Sequence, residues 1–377
     1  MSPSFDIFCK VVDNYGDIGV CWRLARRLAA RPGSAAIRLW VDDLASFARI
    51  APEIRPDVAV QTVADVTIVR WNEGEAPTAA VQPADIVIEA FACSPPEHYI
   101  QNMSARQLWI NLEYLSAEDW VESCHGLPSL QPNGLRKFFF FPGFTPATGG
   151  LIREPDLLTR RDAFQADPQA RLTLLAELGV QPEWLERLAA GGAALVYVFC
   201  YPQAPLPALL EALGRQDRDA LVLMPKGVWS HSASSADCGA RQVAIHRHDF
   251  VDQSHFDQLL WSSDLNIVRG EDSLVRAIWA GRAMMWQPYI QEDGAHLEKL
   301  DAWLARTPYS TPIQQAMRAW NDNSDLQAVT QALQPLLAPA SLKEWSMQSL
   351  DWSSKLARSD DLVDHLLHFY ANNHQTR

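Results

Sequence analysis

Positive charge is scarce in this chain. Lys and Arg number 32 against 45 Asp and Glu, a formal net charge of −13, which argues against nucleic-acid backbones as the main partner, since these are bound by clustered cations. No apolar run reaches the ~18 residues that span a bilayer, so no membrane association is expected. Met1-Ser2-Pro3-Ser4-Phe5 lacks the basic stretch and apolar run of a signal peptide. The six cysteines (Cys9, Cys21, Cys93, Cys124, Cys200, Cys238) include no C-x-x-C pair. Scattered thiols of this kind are those of a reduced, cytoplasmic protein, without disulfides or zinc. His246 and His248 share a strand face, but no third ligand is near in sequence, so no metal is expected. Nucleophile elbows (G-x-S-x-G), P-loops, H-E-x-x-H, internal repeats and low-complexity tracts are all missing.

What is present is an ordinary globular composition, 48% hydrophobic and 20% charged. At 377 residues two domains are the default. Fourteen tryptophans are unusual, and those in helical patterns, such as Trp279, Trp303 and Trp320, are expected in the core. Strands are predicted at 5–12, 37–42, 58–62, 66–70, 85–91, 107–112 and 137–141, then at 193–200, 220–225, 242–247, 264–268 and 283–287. The run 85–91 is apolar on both faces at its centre, as in a buried parallel strand. The alternation of β with α on both sides of a helical connection predicts an α/β chain of two Rossmann-like domains, facing each other across a cleft. Their expected spans are 1–180 and 181–350, with residues 351–377 crossing back onto the first domain.

The first strand runs into Asp13-Asn14-Tyr15-Gly16-Asp17-Ile18-Gly19 and then a helix-like segment from Val20 to Leu28. A helix start attracts anions through unpaired N–H groups and the macrodipole. A dinucleotide fold adds three glycines in G-x-G-x-x-G, whereas this turn has only Gly16 and Gly19, flanked by carboxylates that would repel a pyrophosphate. Asp42, after the second strand, resembles the acid that holds a ribose, so an NAD-type dehydrogenase remains a rival reading. The two acids suit a general base or a site for a cationic group; the plainer alternative is that Asp17 caps the helix and Asp13 supports the turn.

A second strand–turn–helix unit carries Arg269-Gly270-Glu271-Asp272-Ser273. An arginine at a helix N-terminus suits a diphosphate, with Ser273 as a cap and Glu271 and Asp272 turned towards sugar hydroxyls. A capped helix with a local Arg–Glu pair is the alternative. Phe199, at the end of another strand, and Phe250 with Gln253, after a third, are candidates for stacking and reading a base.

With these residues in place the chain resembles the bacterial protein-arginine rhamnosyltransferases that modify elongation factor P. The likeness rests on residues 8–25, including the Asp13–Gly19 turn, and on Asn266-Ile267-Val268-Arg269-Gly270-Glu271-Asp272-Ser273. Phe250-Val251-Asp252-Gln253 and Pro288-Tyr289-Ile290-Gln291 add to it. The resemblance implies a GT-B fold, dTDP-β-L-rhamnose as donor, elongation factor P as protein partner, inversion at the anomeric carbon, and no cofactor or metal. It also implies that Asp13, Asp17 and Glu271 are the catalytic carboxylates and that Asn14, Tyr15, Gly16 and Gly19 form the acceptor-side loop. Arg269 and Tyr289 would hold the diphosphate with Asp272 and Ser273 nearby. Phe250 and Gln253 would bind thymidine, and Phe199 would line the same pocket, a place that Tyr197 or Tyr201 could also fill. A non-catalytic nucleotide-sugar-binding module is the second rival; it has no need of Asp13 and Asp17 together.

Overall fold

The computed structural model describes residues 2–12, 15–33, 35–72, 81–229, 235–236, 242–291 and 294–374. The chain divides into two compact units, residues 1–154 with 357–377, and residues 155–356.

The first unit is built on eight strands: β1 (Phe5–Cys9), β2 (Ile37–Val41), β3 (Val60–Val63), β4 (Val66–Arg70), β5 (Ile86–Ala90), β6 (Leu108–Leu112), β7 (Pro128–Leu130) and β8 (Arg136–Phe140). Their order is β3-β4-β2-β1-β5-β6-β8-β7. The inner strands pair in parallel, and only the two edges, β3 and β7, run antiparallel to their neighbours. Strands β1, β5 and β6 are buried along their whole length, which explains their near-continuous apolar sequences. Helices α1 (Gly16–Ala29), α2 (Leu44–Ile50), α3 (Glu97–Gln101) and α4 (Trp120–Cys124) connect them. On α1 the spacing of Ile18, Cys21, Trp22, Ala25 and Leu28 gives one apolar face, all of it buried.

One charge breaks the apolar pattern of β1. Asp6 is fully buried, yet Arg38 meets it in a two-pronged contact at 2.5 and 2.6 Å, and Trp40 Nε1 and the Ala84 N–H each donate at 2.9 Å. Tyr99 Oη adds a further donor. A buried carboxylate is tolerable only when its lone pairs are satisfied in this way, and the network ties β1 to β2, to the start of β5 and to α3.

The second unit begins with α5 (Leu157–Ala166), α6 (Pro168–Glu177) and α7 (Pro182–Ala189). Its strands are β9 (Ala193–Val198), β10 (Asp219–Pro225), β11 (Ser235–Ala236), β12 (Val243–His248), β13 (Leu265–Arg269) and β14 (Ala283–Gln287), ordered β11-β12-β10-β9-β13-β14 and parallel except for β11. Helices α8 (Leu206–Gly214), α9 (Gln253–Ser262), α10 (Asp272–Ala280), α11 (Ala295–Arg306), α12 (Thr311–Asp322), α13 (Leu326–Leu333) and α14 (Pro339–Leu356) complete it. Trp279, Trp303 and Trp320 are buried, and Trp303 meets Trp286, Tyr309 and Trp352 edge-on at 5.3 to 6.1 Å.

The division falls near residue 155 rather than 180. Helices α5 and α6 lie between those two points, and side chains of α5 bind the second unit's backbone. Arg161 Nη1 donates to the Trp279 carbonyl at 2.8 Å, and Gln165 Nε2 to that of Ala280 at 3.0 Å. The last helix, α15 (Leu362–His374), belongs to the first unit. Arg27 of α1 pairs there with Asp361 at 2.8 Å, both groups buried, while Arg31 reaches Asp364 at 2.6 Å. No helix among the described residues is long and apolar enough to cross a membrane. Cys9, Cys21, Cys93 and Cys200 are buried free thiols; Cys238 lies outside the described residues.

Arg27→Ala leaves Asp361 buried without its cation and should cost about 3 kcal/mol in urea unfolding; a loss below ~1 kcal/mol would show that the pair does not fasten α15. His125 accepts the Phe141 N–H at Nδ1, and burial, helped by nearby His365, lowers its pKa to about 4. The unfolded chain therefore takes up this proton first, and stability should fall as pH drops from about 6.5 towards 4. His125→Gln keeps an acceptor without the titration and should make that fall shallower in pH-dependent denaturation curves.

Candidate functional site

In an open parallel sheet, ligands bind beyond the carboxyl ends of the strands, where the strand order reverses. The first sheet reverses between β1 and β5, the second between β9 and β13. Most of the described candidate residues fall at these two places, one set in each unit, while Phe250 and Gln253 follow β12, two strands from β9.

In the first unit the loop after β1 is pinned by two carboxylates acting on successive amides. Asp42 Oδ1 accepts from the Val11 N–H and Asp17 Oδ2 from the Val12 N–H, both at 2.9 Å. Tyr15 occupies the N-cap of α1 without a side-chain cap bond, Gly16 opens the helix, and the Gly19 N–H returns to the Tyr15 carbonyl at 2.9 Å. Asp17 is thus no N-cap. It sits buried in the first turn, where the helix dipole favours negative charge. Asp13 and Asn14 lie outside the described residues. Asp42 also takes the Asp43 N–H at 2.9 Å with the same oxygen, so the acid proposed to hold a ribose in the dehydrogenase reading is engaged in holding the loop.

Across the β1–β5 switch stand residues that sequence reasoning did not select. Phe91 and Tyr114, which follow β5 and β6, stack at 4.4 Å with their planes 14° apart. Tyr114 Oη lies 3.5 Å from Asp17 Oδ1, at the outer limit of a hydrogen bond. Beside them Glu89 is buried against Lys137 at 3.1 Å, and Asn111 Nδ2 donates to Glu113. Burial pushes the Glu113 carboxyl up, with Lys137 opposing and Glu89 reinforcing the shift. No local motif marks these residues, because they come from separate strands.

In the second unit Arg269 ends β13 at the switch point, and its guanidinium lies against two aromatic rings, 4.7 Å from the centroids of Phe199 and of Tyr201. Arginine stacks well on aromatic faces because its planar cation is weakly hydrated. Phe199 and Tyr201 thus both flank Arg269, while Tyr197 is buried and stacked on His248, 6.0 Å between ring centroids. Phe250 meets Phe199 edge-on at 6.2 Å, and exposed Tyr289 meets Tyr201 likewise at 5.7 Å. The arrangement gathers Phe199, Phe250, Arg269 and Tyr289 into one neighbourhood. Gln253, buried, is the first residue of α9, whose N-cap is Asp252.

Gly270 turns the chain at a φ of 62°, and Trp286 Nε1 grips its carbonyl at 2.7 Å. Glu271 is the N-cap of α10 without a side-chain cap bond, and Asp272 and Ser273 are its first two residues. The expectation that Ser273 caps the helix is corrected: it already lies inside the helix, where its side chain cannot play that part. Glu271 instead forms an ion pair with Lys299 of α11, Oε1 to Nζ at 2.6 Å. Below the turn, Arg276 and Asp257 form a buried two-pronged pair at 2.8 and 2.7 Å that joins α10 to α9. This unit thus presents a cation braced by rings beside a helix N-terminus, a combination suited to a diphosphate. Among the described residues no three His, Cys, Asp or Glu side chains gather as a metal site would require. Gly270→Ala should cost about 1–2 kcal/mol of stability, since alanine enters the left-handed region at that penalty; an unchanged melting curve would show that the turn does not need glycine.

Comparison with known proteins places the chain in a family. The family model described as elongation factor P (EF-P) rhamnosyltransferase EarP matches residues 5–371. A protein-arginine rhamnosyltransferase of Pseudomonas putida is 46% identical over 393 aligned positions, covering 99% of this chain and all of that protein. A solved structure described as the basis for EarP-mediated arginine glycosylation of translation elongation factor EF-P is 33% identical, with a TM-score of 0.63, and covers 98% of this chain and 99% of its own. The spinosyn rhamnosyltransferase SpnG, solved with thymidine diphosphate, shares the fold at a TM-score of 0.51 but only 12% identity, covering 98% of this chain and 99% of its own. Both rival readings, the dehydrogenase and the non-catalytic module, give way to these findings. The chain is a glycosyltransferase of the GT-B class and belongs to the EarP family of elongation factor P rhamnosyltransferases.

Proposed function

We propose that this protein transfers L-rhamnose from dTDP-β-L-rhamnose to an arginine side chain of elongation factor P, with inversion at the anomeric carbon. The observation that carries the donor half is Arg269, braced by Phe199 and Tyr201 beside the N-terminus of α10. The names of the relatives support the sugar and the acceptor.

Arginine is a poor nucleophile, because its guanidinium stays protonated and its lone pairs are delocalised. Asp17 is assigned as general base: one guanidinium nitrogen attacks C1 of the sugar, the C1–O bond to the diphosphate breaks, and the nitrogen's proton passes to the carboxylate. The departing dTDP carries the negative charge, which Arg269 and the helix amides stabilise without a metal. Asp13 orients the arginine or its loop, and Glu271, held by Lys299, fixes the rhamnose or shapes the turn. Tyr289 assists Arg269 at the diphosphate, with Asp272 and Ser273 beside it. Phe250 and Gln253 receive the thymidine.

The test is to incubate the protein with dTDP-L-rhamnose and unmodified elongation factor P. Intact mass and a fragment map should show one deoxyhexose on one arginine, and the anomeric NMR coupling should show α-linkage. No addition, with dTDP still raising the melting temperature, would reopen the acceptor; no dTDP effect would overturn the donor. Asp17→Asn should lower kcat about 100-fold or more and leave dTDP binding intact, whereas near-normal turnover would remove Asp17 as base. Arg269→Ala should abolish the dTDP-induced rise in melting temperature.

A further inference from the structure

The stacked pair Phe91–Tyr114 rests on an unusual backbone. Phe91, Ala92 and Ser94 all adopt positive φ, at 56°, 55° and 52°, a conformation that residues other than glycine rarely enter. The turn is held there by hydrogen bonds from all sides. The Phe91 N–H donates to the Leu112 carbonyl at 2.8 Å, Ala92 N–H to Asn111 Oδ1 at 3.0 Å, and Ser94 N–H to the buried Glu89 carboxylate at 3.2 Å. Backbone strain of this kind persists only where surrounding structure over-determines it, and it concentrates at functional sites. At this turn the Phe91 ring lies flat against Tyr114, whose hydroxyl is 3.5 Å from Asp17 Oδ1 and which is 42% exposed. The pair therefore presents an aromatic surface at the sheet's switch point, beside the assigned base.

We infer that Phe91 and Tyr114 form the aromatic platform on which the acceptor arginine's guanidinium lies, with the Tyr114 hydroxyl positioning the Asp17 carboxylate for proton removal. The inference rests on the proposed function and adds residues to its acceptor half. A planar, weakly hydrated cation gains most from a ring face. Stacking also leaves the in-plane N–H groups directed sideways, towards a carboxylate at the ring's hydroxyl end. Tyr114 therefore contacts the substrate and also acts through Asp17, and the two parts separate by substitution.

The experiment measures affinity for elongation factor P in a double-mutant cycle. Tyr114→Ala should weaken binding of unmodified elongation factor P about fivefold or more. It should leave unchanged the affinity for an elongation factor P whose modified arginine, located by the fragment map, is replaced by alanine. Equal losses with both acceptors would place Tyr114 in the fold or elsewhere in the interface and overturn the platform. Phe91→Gly removes the second ring while easing the positive φ, so it should fold normally and weaken binding in the same arginine-dependent way; unaltered binding would again overturn it. Tyr114→Phe keeps the ring, so KM for the acceptor should hold while kcat falls several-fold and its pH dependence moves. An unchanged kcat and pH profile would remove the positioning role. In all three variants the dTDP-induced rise in melting temperature, which reports the other unit, should match that of the unaltered protein. No transfer by the unaltered protein would overturn the functional reading itself, and this inference with it.

Discussion

Parallel strand pairing is the constraint from which the rest follows. Strands that run the same way place all their carboxyl ends on one edge of the sheet, and the order of connection opens a crevice on each side of a reversal. In the first unit that crevice separates β1 from β5, in the second β9 from β13. Among the described candidate residues, Asp17, Arg269, Glu271 and Phe199 follow the strands that flank these two switches, Tyr289 follows the neighbouring β14, and Phe250 and Gln253 follow β12, two strands from β9. Parallel pairing also demands two covered faces, which is why the sheets are filled with aliphatic and aromatic residues. It also explains why the single charge within β1, Asp6, is surrounded by donors.

The two switch points carry different charged groups. The first holds Asp17 in the first turn of α1, with Glu89, paired with Lys137, and Glu113 on the neighbouring strands. The second holds Arg269 against its rings, with Glu271 and Asp272 at the start of α10. Both use a helix N-terminus, yet differently: at α1 the helix receives a protein carboxylate, while at α10 the N-terminus stands beside Arg269 and its rings. Glu271, the acid at that second helix start, is offset by Lys299.

Structural features that depend on contiguous residues were open to reading in advance. The strand–turn–helix units at 5–29 and 265–280 are local, and their glycines, acids and arginine stand in one short stretch each. The edge strand β7 was not legible, because its three residues carry no apolar alternation. The domain division was displaced by α5 and α6, whose helical pattern says nothing about which unit they serve. Side-chain bonds from Arg161 and Gln165 to the backbone of residues 279 and 280 decide that. Ser273 was misread as a cap because cap preference is a one-residue argument, whereas the helix start was set by the Gly270 turn and the grip of Trp286 on it.

By itself the sequence determined the α/β class, the two Rossmann-like halves, the acidic turn before α1 and the Arg269–Ser273 turn before α10. Periodicity and turn chemistry act over a few residues, and these features need nothing more. Only the tertiary structure decided that Phe199 and Tyr201 lie against Arg269, that Lys299 answers Glu271, and that Tyr114 stands beside Asp17. Each of those contacts joins residues from 28 to 97 positions apart. Lateral strand pairing brings such partners together, and the order of strands in a sheet is chosen by the packing of the whole unit rather than by any local run of residues.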